Sequence, residues 1–181
     1  MKRPKVCLVT PSLMSVRFFL LPHIIALSKK YDLTLVANVH DEDYLKRINL
    51  PIRVVHIPIE RKISLLKDLK ALFLMTKFFL TEKFDIVHTV APKAGIVGIL
   101  AAWLVRVPKR LHVFQGEVWA TKKGFTKVIL KNVDRIMAFL STHLLVVSES
   151  ERQFLINQKV ISAKKSKVLA SGSICGVDMN K

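Results

Sequence analysis

The chain has few cysteines, few acidic residues and no hydrophobic run of membrane-spanning length. Cys7 and Cys175 are its two cysteines, too few and too far apart to predict a disulfide framework or a metal site. The most apolar run, residues 94–105, is twelve residues long, whereas a transmembrane helix needs about 20. The basic residues 2–5 precede only a short apolar stretch without a small-residue cleavage site, so we expect no signal peptide. These absences favour a reducing, cytoplasmic location.

Acidic residues are outnumbered by basic ones. Lys and Arg total 30 against 13 Asp and Glu, which gives a formal net charge of +17. Such a chain attracts nucleic acid, anionic lipid or phosphorylated substrates. The sequence shows no zinc-ligand spacing, no aromatic-rich strand of the RNA-recognition type and no short basic recognition helix, which disfavours nucleic acid. The apolar fraction of 51% indicates more apolar surface than one core of this size requires.

Apolar runs rich in β-branched residues alternate with helical segments along the chain. The predicted strands are residues 6–10, 32–38, 52–57, 85–90, 110–114, 143–147 and 167–170. The predicted helices are residues 16–30, 63–82, 93–105, 127–140 and 149–157. This alternation predicts an α/β fold, a doubly wound, mostly parallel, Rossmann-like sheet with helices on both faces. No linker interrupts the pattern, so residues 1–181 are predicted to form a single domain.

The loops that follow the strands are the candidate functional segments, because ligands of such sheets bind beyond the carboxyl ends of the strands. These loops are residues 10–15, 88–93, 115–121, 148–149 and 172–178. No Gly-x-Gly-x-x-Gly follows the first strand, which disfavours an independent dinucleotide-binding protein. Ser148 and Glu151 fit a capping box at the start of the last predicted helix.

Four short motifs near these loops resemble a known family. They are Phe84-Asp-Ile-Val-His88, Leu111-His-Val-Phe-Gln-Gly116, Val146-Val-Ser148 and Gly176-Val-Asp178. In this order and spacing they resemble the amino-terminal half of a family 4 glycosyltransferase of the GT-B fold, from bacterial surface polysaccharide biosynthesis. The resemblance spans nearly the whole chain. Enzymes of that family have two Rossmann-like domains that face each other across a cleft.

The resemblance implies that this chain is the acceptor-side domain. In the family, a second domain that holds the nucleotide sugar follows the turn marked here by Gly172, Gly176 and Asp178, whereas this chain ends at Lys181. The implied activity is retaining transfer of a hexose from a nucleotide sugar to a polyprenyl-diphosphate-linked saccharide, with no cofactor and no metal. Without the donor-binding domain, the chain alone is expected to be an inactive half. The alternative is a non-catalytic subunit or membrane scaffold that recruits a separate donor-binding subunit.

The resemblance places the loop after the fifth strand at the floor of the cleft. Many relatives carry a histidine where Gln115 stands, and glutamine cannot act as a base. Gln115 is therefore expected to donate a hydrogen bond, and the proton-accepting role falls to Glu117 or to the leaving phosphate of the donor. Gly116 offers bare backbone, and Trp119 either stacks on a sugar face or caps the sheet edge. His88 either contacts the acceptor or is hydrogen-bonded inside the sheet; for the whole loop, the alternative is an exposed loop with a surface glutamate.

Two further loops complete the predicted substrate-binding set. Many family members carry adjacent glycines in the first loop, where backbone amides approach the donor diphosphate, and this chain has none. Ser12, Ser15 and Arg17 are the expected replacements, although Ser15 fits a plain helix cap equally well. Ser148 and Glu149, after the sixth strand, are the other predicted substrate-binding residues.

The helix predicted over residues 63–82 mixes lysines with apolar side chains. The residues predicted to face the core are Leu65, Leu69, Leu72, Phe73 and Leu80. The residues predicted to form a membrane surface on the opposite face are Lys67, Lys70, Leu74, Lys77 and Phe78. Lysines beside exposed apolar residues suit the headgroup region of an anionic bilayer, and a buried helix with snorkelling lysines is the alternative. We therefore expect peripheral attachment to the inner face of the cytoplasmic membrane, where a lipid-linked acceptor is available.

Overall fold

A single all-parallel sheet of seven strands organises the protein. The computed structural model describes residues 3–39, 52–60 and 64–174, so the predicted turn residues Gly176 and Asp178 lie outside the described residues. The strand order is β3-β2-β1-β4-β5-β6-β7. The strands are β1 (Lys5–Val9), β2 (Asp32–Ala37), β3 (Arg53–His56), β4 (Ile86–Val90), β5 (Lys109–Phe114), β6 (His143–Val146) and β7 (Ser166–Val168). Every strand was predicted to within two residues at each end, and the predicted parallel sheet is confirmed.

The helices follow the predicted order, with one difference near the amino end. After β1 the chain forms a helical turn, Leu13–Ser15, a π-helical turn, Val16–Leu20, and then helix α1, Leu21–Ser28. Pro22 lacks an amide hydrogen, so it fits the first turn of a new helix rather than the interior of the single helix predicted over residues 16–30. The other helices are α2 (Leu65–Glu82), α3 (Pro92–Leu104), α4 (Gly124–Leu140) and α5 (Glu149–Asn157).

Helices pack on both faces of the sheet, as predicted for a doubly wound domain. On one face, Ile24 of α1 and Leu20 of the preceding turn pack against Leu8 and Leu35 of the central strands. On the other face, two core clusters lie under α2 to α5; their buried members include Met75, Phe79, Val97, Met137, Leu144 and Leu155. This layering leaves the carboxyl edge of the sheet as the place where the strand-end loops meet.

Helix α2 presents a different face to the core from the one predicted. Ala71, Met75 and Phe79 are its buried residues, while Leu74 and Phe78, predicted to reach a membrane, are partly buried against the same core cluster. Four of the five residues predicted as core are instead exposed, namely Leu65 (77%), Leu69 (62%), Phe73 (68%) and Leu80 (59%); the fifth, Leu72, is partly buried against the core cluster. The prediction was wrong because α2 is apolar on two faces, and periodicity alone cannot choose between them. The packing of α2 against α3 and the sheet determines which of its faces is buried.

Two glycines allow α3 to approach the sheet closely. A Cβ atom at Gly95 would overlap the sulfur of Met137 and lie 2.5 Å from His112 Cε1, and one at Gly98 would lie 2.7 Å from Thr89 Cγ2. His112 is buried, with Nδ1 at 2.8 Å from the Thr89 hydroxyl. Burial lowers the pKa of His112 to about 3, so its ring is neutral at physiological pH. His112 is therefore a packing residue between α3 and the sheet.

Gly95→Ala is expected to lower the free energy of unfolding by about 1–3 kcal/mol, because the added methyl group overpacks the contact with Met137 and His112. Helix propensity alone predicts the opposite sign, a gain of about 0.5–1 kcal/mol. The free energy of unfolding of the wild type and of Gly95→Ala, measured with urea, therefore shows whether overpacking or helix propensity dominates. A variant as stable as the wild type, or more stable, would show that the close approach of α3 does not depend on this glycine.

Candidate functional site

A cavity of about 650 Å³ opens where the loops after β5, β6 and β7 meet. Gln115 and Gly116 line it from the loop after β5, and Ser148 lines it from the loop after β6. The remaining wall comes from Val147, from α5 and from the segment after β7: Ser150, Glu151, Phe154, Ser173 and Ile174. Three of the predicted site residues, Gln115, Gly116 and Ser148, are thus brought together at the predicted edge of the sheet.

The loop between β5 and α4, residues 115–121, is fixed at its start by α5. Gly116 has a φ of +86°, a left-handed conformation that glycine adopts without strain. Its amide donates a hydrogen bond of 2.5 Å to Oε1 of Glu151. The predicted capping box is therefore only half present: the Ser148 hydroxyl accepts from the Glu151 amide at 3.1 Å, but the Glu151 carboxylate turns to the neighbouring loop.

Trp119 lies inside the protein rather than at the cavity surface. Its ring is buried, stacks on Phe154 at a centroid distance of 5.5 Å, and donates from Nε1 to Oδ2 of Asp134 at 2.7 Å. A ring packed between α4 and α5 cannot also stack on a sugar, so that alternative was wrong. The 3-10 turn Val118–Thr121 carries Trp119 into this position.

The carboxyl group of Glu117 is protonated at neutral pH. Burial first, and then the nearby carboxylates of Asp134 and Glu151, together raise its pKa to about 9. A neutral carboxyl cannot accept a proton, so the predicted base role does not fit Glu117. Oε1 of Glu117 and Oε2 of Glu151 are buried without a hydrogen-bond partner among the described residues.

His88 points away from the loop after β5, into a second cavity of about 410 Å³ between α1 and the sheet. Its Nε2 is buried without a hydrogen-bond partner among the described residues, which excludes a bond from this atom inside the sheet. Burial, and then the charge of His23, lower the pKa of His88 to about 4, so the ring is neutral at pH 7. His23 Nε2 hydrogen-bonds the carbonyl of Ile174, which lines both cavities.

The remaining predicted substrate-binding residues lie outside the first cavity. Ser12 and Ser15 precede helical segments without a side-chain capping bond, so the plain-cap alternative for Ser15 was wrong. The Arg17 guanidinium lies 5.4 Å from the ring centroid of Phe18. Glu149 is exposed and pairs with Arg152 at 2.6 Å. The predicted turn residue Gly172 has a φ of +89°, and a Cβ there would collide with the carbonyl oxygen of Val147.

No pattern in the sequence indicated Asp134 or Phe154 as site residues, and Glu151 was assigned a different role. Asp134 and Phe154 lie within helices, where isolated polar or aromatic residues give no periodic signal of a site. Glu151 was noticed, but its spacing from Ser148 pointed to a helix cap. Only the packing of α4 and α5 beside the loop after β5 brings these three side chains to the site.

The outer surface of the helical layer carries exposed apolar residues with lysines among them. Helix α4 presents an outward stripe of Phe125, Val128, Ile129, Ile136 and Phe139. Helix α2 carries the exposed residues Leu65, Leu69, Phe73 and Leu80, and its Lys67, Lys70 and Lys77 are also exposed. Lys67 pairs with Glu60 at 3.0 Å. In the described ranges, no helix has the length and apolar character needed to cross a bilayer.

The sequence matches the family described as glycosyl transferase 4-like domain over residues 25–172, and the chain belongs to this family. Its sequence is 35% identical over 125 residues to the capsular polysaccharide biosynthesis glycosyltransferase CapM of Staphylococcus aureus, covering 69% of this chain and 33% of the relative. It is 34% identical over 122 residues to the UDP-Gal:alpha-D-GlcNAc-diphosphoundecaprenol alpha-1,3-galactosyltransferase of Escherichia coli, covering 67% of this chain and 30% of the relative. The match spans about a third of the length of each relative.

Solved structures share the fold. MurG of Acinetobacter baumannii superposes with a TM-score of 0.62 at 17% identity, covering 98% of this chain and 47% of the MurG chain. The UDP-GlcNAc 2-epimerase of Methanocaldococcus jannaschii superposes with a TM-score of 0.65 at 20% identity, covering 94% of this chain and 46% of the epimerase chain. At these identities the likeness concerns the fold alone. The predicted family and the predicted Rossmann-like fold are both confirmed.

Proposed function

We propose that the chain forms the acceptor-binding half of a retaining glycosyltransferase that moves a sugar from a nucleotide sugar to a polyprenyl-diphosphate-linked saccharide. Membership of the family and the name of the Escherichia coli relative, which includes a diphosphoundecaprenol-linked sugar, support this proposal. The observation that carries it is the first cavity, in which an amide, three serines and a carboxylate surround a space of about 650 Å³ beside Phe154. Such groups match the hydroxyls and the apolar face of a pyranose ring.

Gln115 is the proposed acceptor-contacting residue. Its amide can donate to one sugar hydroxyl and accept from another, and the adjacent Gly116 leaves room for close approach. Because Glu117 carries its own proton at neutral pH, the proton of the attacking hydroxyl is proposed to pass to the leaving phosphate of the donor. In this scheme the residues of this chain orient the acceptor, and the donor half of the enzyme supplies the nucleotide sugar.

The outer face of the helical layer is the proposed membrane contact. Phe73 on α2 and Phe125 and Phe139 on α4 are exposed, and the chain carries a formal net charge of +17. Apolar side chains among lysines suit the headgroup region of an anionic leaflet. Attachment of this kind would hold the acceptor cavity near a lipid-linked sugar at the inner face of the cytoplasmic membrane.

Titration calorimetry with a water-soluble, short-chain polyprenyl-diphosphate-linked GlcNAc tests the acceptor role. The chain is expected to bind this probe more tightly than UDP-GlcNAc, and Gln115→Ala is expected to weaken binding about tenfold through the lost hydrogen bonds. Gln153→Ala is the matched control, because Gln153 is an exposed glutamine on α5 that bonds only Asn157, at 3.0 Å, among the described contacts. Tighter binding of UDP-GlcNAc, or equal losses in the two variants, would contradict the proposal.

A further inference from the structure

We propose that Asp134 is a positioning residue, which acts through Trp119 and Glu117 to hold the loop of residues 115–121 so that Gln115 and Gly116 face the acceptor cavity. Asp134 lies on α4, is buried, and lines neither cavity. It therefore cannot touch the acceptor itself. The proposal rests on the proposed function, because that function gives Gln115 its contact with the acceptor.

The first bond that holds the loop is the one from Trp119. The indole Nε1 donates to Oδ2 of Asp134 at 2.7 Å, in a buried environment where a broken hydrogen bond is costly. Phe154 stacks against the ring, with an angle of 18° between the planes, and the Lys131 ammonium lies 5.3 Å from the ring centroid. These contacts fix the plane of the ring, and the Asp134 bond fixes its direction.

The second contact comes from Glu117, two residues before Trp119. Its carboxyl faces Asp134, whose charge raises the pKa of Glu117, so a single aspartate meets the loop at two positions. The groups that face Glu117 are Asp134 from α4 and Glu151 from α5, and Glu151 also accepts from the Gly116 amide. Gln115 therefore lies next to Gly116, whose amide bonds to Glu151 of α5, and two residues before Glu117, which faces Asp134 of α4.

The loop needs such bonds because it has little regular structure of its own. Only Val118–Thr121 forms a 3-10 turn, and Gln115 to Glu117 belong to no helix or strand. Burying a carboxylate costs desolvation free energy, and an apolar side chain of similar volume often stabilises the fold as well or better. A carboxylate that accepts the bond from Trp119 and also faces Glu117 of the same loop has a role that packing alone does not explain.

Asp134→Asn tests the proposal, because asparagine keeps the shape but provides one acceptor oxygen instead of two. The 181-residue chain is labelled with 5-fluorotryptophan, and Trp103, exposed on α3, serves as an internal reference that Trp103→Phe assigns. The Trp119 resonance is expected to shift and broaden while the Trp103 resonance stays unchanged. Binding of the short-chain lipid-linked GlcNAc is expected to weaken about tenfold.

Two further variants separate positioning from folding. Asp68→Asn is the control, because Asp68 is a carboxylate whose partner, Lys93 at 2.6 Å, lies away from the loop; it is expected to leave the Trp119 resonance and probe binding unchanged. Trp119→Phe keeps the stacked ring but removes the indole donor, and it is expected to weaken probe binding in the same direction as Asp134→Asn. That expectation stands even if Asp134→Asn fails to fold.

The pH profile provides a readout that packing alone would not move. Since the pKa of Glu117 is about 9, the wild-type Trp119 resonance is expected to titrate near that pH, when Glu117 loses its proton and a second negative charge appears beside Asp134. Glu117→Gln keeps a donor at this position at every pH, so its Trp119 resonance is expected to stay constant. A profile that is the same in both proteins would overturn the proposal.

The remaining outcomes are also decisive. An unchanged Trp119 resonance in Asp134→Asn would show that Asp134 does not hold the loop. If Asp134→Asn changes the Trp119 resonance but binds the probe as tightly as the wild type does, the position of the loop does not affect acceptor binding. That result would overturn the positioning role. If the wild-type chain binds no probe, the proposed function fails, and the resonance alone still decides whether Asp134 holds the loop.

Discussion

Glu117→Gln is expected to gain stability over the wild type as the pH rises from about 4.5 to 9. The unfolded Glu117 loses its proton near its ordinary pKa of 4.5, whereas the folded one keeps it up to a pKa of about 9. Between these values the folded state binds more protons, so wild-type stability falls with rising pH by up to about 1.4 kcal/mol per pH unit. Glutamine does not titrate, so the difference between the two proteins grows at that rate.

Urea unfolding at pH 5, 6, 7 and 8 measures this difference. His88 and His112, whose pKa values are lowered, impose an opposite slope below about pH 6.5, but they do so in both proteins and cancel in the comparison. Glu149→Gln, on an exposed glutamate after β6, is the matched control and should leave the pH profile unchanged. A constant difference between wild type and Glu117→Gln across this range would show that the Glu117 carboxyl is ionised in the folded protein.

The double variant Lys70→Glu and Lys77→Glu is expected to weaken binding to anionic vesicles by at least about 30-fold. Each lysine near an anionic surface contributes about 1 kcal/mol, and charge reversal adds repulsion to that loss. Lys67 is left in place because Glu60 already pairs with it at 3.0 Å. Sedimentation with vesicles that contain about one-third phosphatidylglycerol measures the partition, and pure phosphatidylcholine vesicles give the neutral reference.

Lys29→Glu with Lys30→Glu is the matched control for that experiment. These two lysines are exposed at the end of α1, on the other face of the sheet, and the charge change is identical. Phe73→Ser is expected to reduce binding with little loss of stability, whereas Phe78→Ser should destabilise the fold because Phe78 packs against Phe84 at a centroid distance of 5.5 Å. Equal losses of binding in the two lysine pairs would show that net charge, not the outer face of α2, attracts the membrane.

The fold could be predicted because its signal is local. Continuous apolar runs such as residues 6–9 mark strands buried on both faces, and helical stretches between them force parallel crossovers. The strand-end loops are then candidate sites by topology alone, and three predicted residues, Gln115, Gly116 and Ser148, do line one cavity. The α1 segment was predicted as one helix because its π-helical turn leaves no mark in the apolar spacing.

The candidate site could be predicted only in part, because contacts between distant elements decide the state of its side chains. Trp119 was predicted either to stack on a sugar or to cap the sheet edge. Its hydrogen bond to Asp134, fifteen positions away, holds the ring inside the protein, where it cannot stack on a sugar. Glu117 was one of two candidates for the proton-accepting role, with the leaving phosphate of the donor, and its burial beside Asp134 and Glu151 keeps its carboxyl protonated. No spacing within the loop reveals these partners, since they come from α4 and α5.

The amino-acid sequence by itself determined the parallel α/β architecture, the order of its elements, the family and the edge of the sheet where the loops converge, because each depends on short-range patterns. The tertiary structure decided which face of α2 is buried, whether Glu117 carries a proton and where Trp119 points. Those properties depend on desolvation and on hydrogen bonds between residues far apart in the chain, which exist only once the helices pack against the sheet.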